Sequence, residues 1–191
     1  LPFSPHTKRI PIWGLGCAGG AAGIARAHEY CTAYPQAKVL VIALELCSLT
    51  FQREDMDRRN LVAASLFADG AATVIVRGPG AAAAPRSRAP ALAILDAQST
   101  LWPGTLDVMG WEVDGSGLHV VFSRDIPTIV RDRVRPNLET FLAAHGLDLA
   151  SLDHLLAHPG GPRVLAAYAE ALGWNPERLT RAREVLSEVK A

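Results

Sequence analysis

The sequence has no excess of either charge, because nineteen lysines and arginines balance nineteen aspartates and glutamates. No net field therefore draws the chain to nucleic acid, although such a balance still permits a local basic patch. The candidate patch, Arg131, Arg133 and Arg135, is interrupted by Asp132 and reads as a solvated helix face. Cysteine is also scarce. Cys17, Cys31 and Cys47 are too few for a disulfide framework and lack the CxxC spacing of a structural zinc site, so reduced thiols and no metal are expected. No apolar run reaches the length of a membrane span, and no basic leader with an apolar core and a small-residue cleavage site is visible. A cytoplasmic protein with neither a membrane nor a nucleic-acid partner is the expectation. No tandem repeat implies a solenoid.

What is present suits a folded core. The chain has 191 residues, 49% of them hydrophobic and 20% charged, which fits one large domain or two small ones. The segment AKVLVIALEL, residues 37–46, is almost continuously apolar and rich in branched side chains, as expected of a strand buried on both faces. It follows a helix predicted to start near Cys17 and end near Tyr34. Helix, turn and buried strand together favour an α/β layer architecture. Residues 60–78 read as a short helix, a turn at Asp69 and Gly70, and a strand through Val76. The stretch from Gly78 to Pro90 is turn-rich and of low complexity, and reads as an exposed connection.

Beyond it, ALAILDAQ and GLHVVF are strand-like and flank a stretch holding Trp102 and Trp111. An amphipathic helix is predicted from Ile126 to Ala144, with Val130, Val134, Leu138, Phe141 and Leu142 on its buried face. LDHLLAH reads as a further strand that runs through a Gly-Pro loop into a helix.

Two residues stand out chemically. Cys17 lies among Gly14, Gly16, Gly19 and Gly20 at the mouth of a small-residue helix. A helix start favours a thiolate, and glycines leave room for an incoming acyl group. The same small residues would equally permit close helix packing around Cys17 as a buried thiol, and Cys31 and Cys47, which lack the glycine-rich setting, are expected to be structural. His158, at the loop after its apolar stretch, could pair with a thiolate or hydrogen-bond a thioester carbonyl. It could also simply anchor that loop. His154, on the same stretch, should point to the same side and is not distinguished from it by spacing.

Taken in order, WGLGCAGGAAG, VLVIALELCSLTF, NLVAASLFADGAA and LLAHPGGPRVL resemble the chalcone-synthase-like type III polyketide synthases, particularly bacterial ones. The resemblance covers nearly the whole chain. It implies a partial thiolase-like α/β fold with a mixed sheet and packed helices. It puts the acyl-carrying nucleophile on Cys17, the catalytic histidine on His158, and the gate between coenzyme A tunnel and condensation cavity on Phe67. It makes Cys47 a cavity-lining residue, places Trp111 where relatives carry a small cavity residue, and places Val120 where many carry a second gating phenylalanine.

The implied reaction is iterative decarboxylative condensation of malonyl-coenzyme A onto an acyl-coenzyme A starter, with both as substrates, no cofactor, and a homodimeric full-length enzyme. HPGG and the phenylalanine of LFADG favour this group over the beta-ketoacyl synthase III-like enzymes, which make one condensation on a carrier protein.

The resemblance also implies a longer parent. Residues 1–78 correspond to the C-terminal part of a first thiolase-like module, residues 79–90 to an exposed linker and residues 91–191 to an incomplete second module. The family's catalytic asparagine is expected just after a segment like REVLSE, where this chain reads REVLSEVKA, so no residue takes that role. An internal piece or truncated relative is expected. Each large apolar side chain left uncovered would forgo roughly 1.5–3 kcal/mol, so compensating contacts such as dimerisation are expected too. A catalytically silent interaction protein is the competing expectation.

Overall fold

The structure, a computed structural model, describes residues 3–53, 56–82, 92–115 and 117–188. Its elements in chain order are α1 (Gly19–Ala33), β1 (Lys38–Glu45), α2 (Arg58–Leu66), β2 (Gly70–Arg77), β3 (Met109–Asp114), β4 (Gly117–Phe122), α3 (Ile126–Ala143), α4 (Pro162–Leu172) and α5 (Thr180–Glu188). Two compact units result. One draws on residues 1–44 and 71–99, the other on residues 45–70 and 100–191. Packed helices and small two-stranded sheets make a mixed α/β fold, as expected of a partial thiolase-like architecture.

In the first unit α1 lies on β1. Gly20 and Gly23 allow the approach: a Cβ on Gly23 would stand 3.1 Å from Val41 Cγ1, and one on Gly20 would meet Ala43. Ala27 and Cys31 are buried beneath the helix. β1 pairs with β2, and the Gly78 amide donates to the Ala37 carbonyl at 3.0 Å, so the end of β2 meets the start of β1 and the strands run antiparallel.

The expected burial of β1 on both faces is not observed. Leu40, Ile42 and Leu44 are 38, 61 and 58% exposed, because α1 covers one face and no described element of this unit covers the other. The connection from Gly78 also departs from expectation at its start. Gly78 is buried, and any Cβ there would collide with the Pro35 carbonyl. Residues 83–90 of that connection lie outside the described residues.

The second unit is built around two packing events. α3 and α4 share a core of Val130, Val164 and Ala167, flanked by Ile126, Val134 and Tyr168. The predicted apolar face of α3 is therefore the packed one. The arginines flank that face: Arg131 pairs with Glu170 of α4, Arg135 pairs with Glu139 at 2.8 Å and also reaches the Ala171 carbonyl of α4, and Arg133 lies over the Trp102 ring. α4 opens on Gly161 and Pro162 and closes on Gly173 in the left-handed region, a Pro-start and Gly-stop signature legible in the sequence. The second event is the β3–β4 hairpin, paired from Met109 with Phe122 to Asp114 with Gly117.

Neither ALAILDAQ nor LDHLLAH forms a strand over its described residues. Both have strand composition, yet neither has a neighbouring ladder to satisfy its amides, since each described sheet has only two strands. Among the described residues no helix is long and apolar enough to cross a membrane.

Candidate active site

Cys17 occupies a single 3-10 turn, Gly16–Ala18, that runs directly into α1. Gly14 and Gly16 have φ of 84° and 50°, a region that side chains disfavour, and this sets the sharp entry. The N-cap residue of α1, Ala18, makes no side-chain cap. Cys17 is exposed. The glycines around it divide by role: Gly16 and Gly19 border open space, while Gly20 and Gly23 pack on β1. Glycines of this stretch thus both leave room beside the thiol and pack the helix on its strand. Cys31 is the buried thiol, with Sγ within 3.7 Å of the Val76 carbonyl and 3.9 Å of that of Ala37. Burial pushes its pKa up, as suits an inert packing group.

The second unit holds a cavity of about 410 Å³. Three segments wall it. From α2 and its end come Asn60, Ala63, Ala64 and Phe67, spaced as one face of a helix. From the hairpin come Trp111, Leu118 and Val120. Trp111 pairs directly with Val120 in the ladder, so the two side chains share a face. The third wall is the turn Cys47–Thr50 with Phe51. Phe67 and Trp111 approach across the cavity with ring centroids 6.5 Å apart and planes tilted by 55°.

Four residues singled out in the sequence, Cys47, Phe67, Trp111 and Val120, are therefore gathered in one pocket. His158 lies in the same unit but is not among its lining residues. Cys17 belongs to the first unit.

Sequence reasoning missed the polar groups of this pocket. Asp69, read only as a turn residue, accepts the Ser48 amide at 2.8 Å and the Ser48 hydroxyl at 2.7 Å, and these bonds hold its carboxyl below the usual carboxylate range. The Thr50 hydroxyl donates to the Cys47 carbonyl at 2.9 Å and fixes the turn internally. The available signal was the Asp-Gly dipeptide that leads from α2 into β2, which sequence treats as punctuation.

His158 precedes the loop that starts α4. Gly161 there has a φ of 134°, and a Cβ on Gly160 would sit 3.5 Å from His158 Cδ2, so the glycines let the loop fold close beside the imidazole. His158 is exposed over much of its surface, yet the protein around its ring is enough for desolvation to lower its pKa from the usual 6.5. The neutral ring is thereby favoured. His154 is exposed as well; without a strand, the face argument that tied the two histidines does not apply. Among the described residues no cluster of three or more His, Cys, Asp or Glu side chains is placed to hold a metal.

The N-terminal domain of the chalcone and stilbene synthases matches residues 1–81, and the C-terminal domain of the same family matches residues 93–190. A protein of Bacillus subtilis (strain 168) named "Putative chalcone synthase" is 52% identical over 188 residues, 98% of this chain and 52% of that protein. The 1,3,6,8-tetrahydroxynaphthalene synthase of Streptomyces coelicolor (strain ATCC BAA-471 / A3(2) / M145) is 36% identical over 98% of this chain and 48% of its own length.

Among solved structures, the crystal structure of 1,3,6,8-tetrahydroxynaphthalene synthase from Streptomyces coelicolor A3(2), a bacterial type III polyketide synthase, superposes with a TM-score of 0.83 at 34% identity, over 98% of this chain and 55% of that one. Germicidin synthase from Streptomyces coelicolor gives 0.81 at 30% identity, over 98% of this chain and 48% of that one. The chain spans about half the length of the relatives it matches. Motif order, fold and similarity along nearly all of its length agree that the chain belongs to the chalcone and stilbene synthase family, the thiolase-like type III polyketide synthases.

Proposed function

We propose that the chain carries the condensing machinery of a type III polyketide synthase that extends an acyl-coenzyme A starter with malonyl-coenzyme A. On this reading the Cys17 sulfur attacks the starter's thioester carbonyl; a C–S bond to the enzyme forms, the C–S bond to coenzyme A breaks, and the released thiolate takes a proton from solvent. Malonyl-coenzyme A then loses carbon dioxide, and the resulting enolate carbon attacks the Cys17 thioester. The new C–C bond expels the Cys17 thiolate and leaves a β-ketoacyl-coenzyme A.

His158 contributes an N–H to the oxygen that gains charge in these steps, a task for which the favoured neutral ring is suited. Residues 1–78 act as the C-terminal part of a first thiolase-like module, residues 79–90 as a linker and residues 91–191 as part of a second. The whole enzyme works as a cytoplasmic homodimer.

The observation that supports this reading most is the pocket. Positions that the family resemblance assigns to chamber and gate, Cys47, Phe67, Trp111 and Val120, come from three separate segments and line one space. The test is intact-protein mass spectrometry after incubation with a series of acyl-coenzyme A starters, with Cys17→Ala alongside. One acyl increment in the parent chain and none in the variant is the expected result. No increment with any starter favours a silent interaction protein. Product analysis separates the remaining enzyme reading: several malonyl-derived units fit iterative extension, whereas a single condensation on a carrier protein would sink it.

A further inference from the structure

Phe67 and Trp111 meet at one point of the pocket, and elsewhere its walls stand apart around open space. There hydrogen bonds at the rim bear on their spacing. One tie, Ser48 to Asp69, joins the Cys47–Thr50 turn to the end of α2 and does not reach the hairpin. A second tie does. Asn60 Nδ2 on α2 donates to the Gln52 carbonyl at 3.0 Å, and Gln52 Nε2 donates to the Leu118 carbonyl on β4 at 3.3 Å. Gln52 thus links the helix wall to the strand that carries Val120, while lying outside the pocket lining itself.

The strand is shaped to receive it. Gly117, beside the acceptor, has a φ of 131°, and a Cβ there would stand 3.0 Å from Gln52 Nε2. Glycine at this position serves both the backbone conformation and the close approach of the amide. Both Gln52 and Asn60 are half-buried, where an exchange of donor for acceptor is costly.

We infer that Gln52 is a positioning residue that sets the distance between β4 and α2, and through it the width of the chamber and the length of chain it releases. The statement about wall spacing stands on the geometry alone; the statement about chain length rests on the functional reading above.

The test uses the 191-residue chain with Gln52→Glu, nearly isosteric but unable to donate when ionised, and Gln52→Lys, which restores a donor at similar reach. The first readout is the alkylation rate of Cys47 by iodoacetamide relative to Cys17, resolved by peptide mass spectrometry. Gln52→Glu should raise that ratio about two- to tenfold, the range that one net hydrogen bond supports, and Gln52→Lys should return it towards the parent value. An unchanged ratio in Gln52→Glu, or a lysine variant as open as the glutamate one, overturns the inference.

The second readout is the distribution of product lengths from malonyl-coenzyme A. A shift in Gln52→Glu that Gln52→Lys reverses supports the chain-length assignment, and an unaltered distribution overturns it. If the labelling contrast appears but the parent chain makes no product, the wall assignment holds and the functional reading fails.

Discussion

At the scale of single residues, His158 carries the clearest expectation. Its pKa in the folded chain lies below the ordinary 6.5 because of desolvation. As the pH falls, the unfolded chain takes up the proton first, so the stability tied to the neutral ring is complete above the unfolded value and is lost as the pH drops through the folded one. A histidine titration followed by NMR should show the His158 midpoint below that of a free peptide; a midpoint at or above 6.5 would contradict the crowding seen at the loop. The residues that stand out in the sequence are those whose neighbours in the chain announce them: Cys17 by its glycines and His158 by Pro159, Gly160 and Gly161. Asn60, Gln52 and Asp69 do not, because a lone amide or carboxylate gains its role only from partners distant in sequence, as Gln52 does from Leu118 across 66 positions.

At the scale of elements, α3 was legible from its apolar periodicity and α4 from the Gly and Pro that precede it, because these are local signals, and the structure packs α4 on the predicted face of α3. The failures were at strands. An apolar run specifies that a segment prefers burial but not that a neighbouring edge awaits it, so over their described residues ALAILDAQ and LDHLLAH have strand composition without strand pairing. β1 pairs, but only one of its faces is covered. The helical pair should therefore dominate stability. Leu165, fully buried in α4, is its most sensitive point. Leu165→Ala should cost about 2–5 kcal/mol, read as a fall in the urea midpoint at unchanged slope, whereas a loss under 1 kcal/mol would mean that α4 is not part of the cooperative core.

At the scale of the whole molecule, the two units differ in how fully they enclose their apolar side chains. Most of the buried residues belong to α3, α4 and the segment after them, while the sheet of β1 and β2 leaves Ile42, Leu44 and Ile75 largely open to water and Leu40 partly so. Charge was the first property the sequence showed, and its balance now acquires a colloidal meaning. A strand face of this kind is adhesive, and a molecule with no net charge at pH 7 has little long-range repulsion to keep copies apart. Self-association measured by light scattering should accordingly be greatest near neutrality and fall as the pH is moved well to either side within the folded range. A scattering profile indifferent to pH would mean that the open face of β1 does not govern how copies of the chain meet. The same leucines and isoleucine that make β1 a strand would then set the practical ceiling on concentration, with the surrounding electrolyte, through its pH, acting as the control.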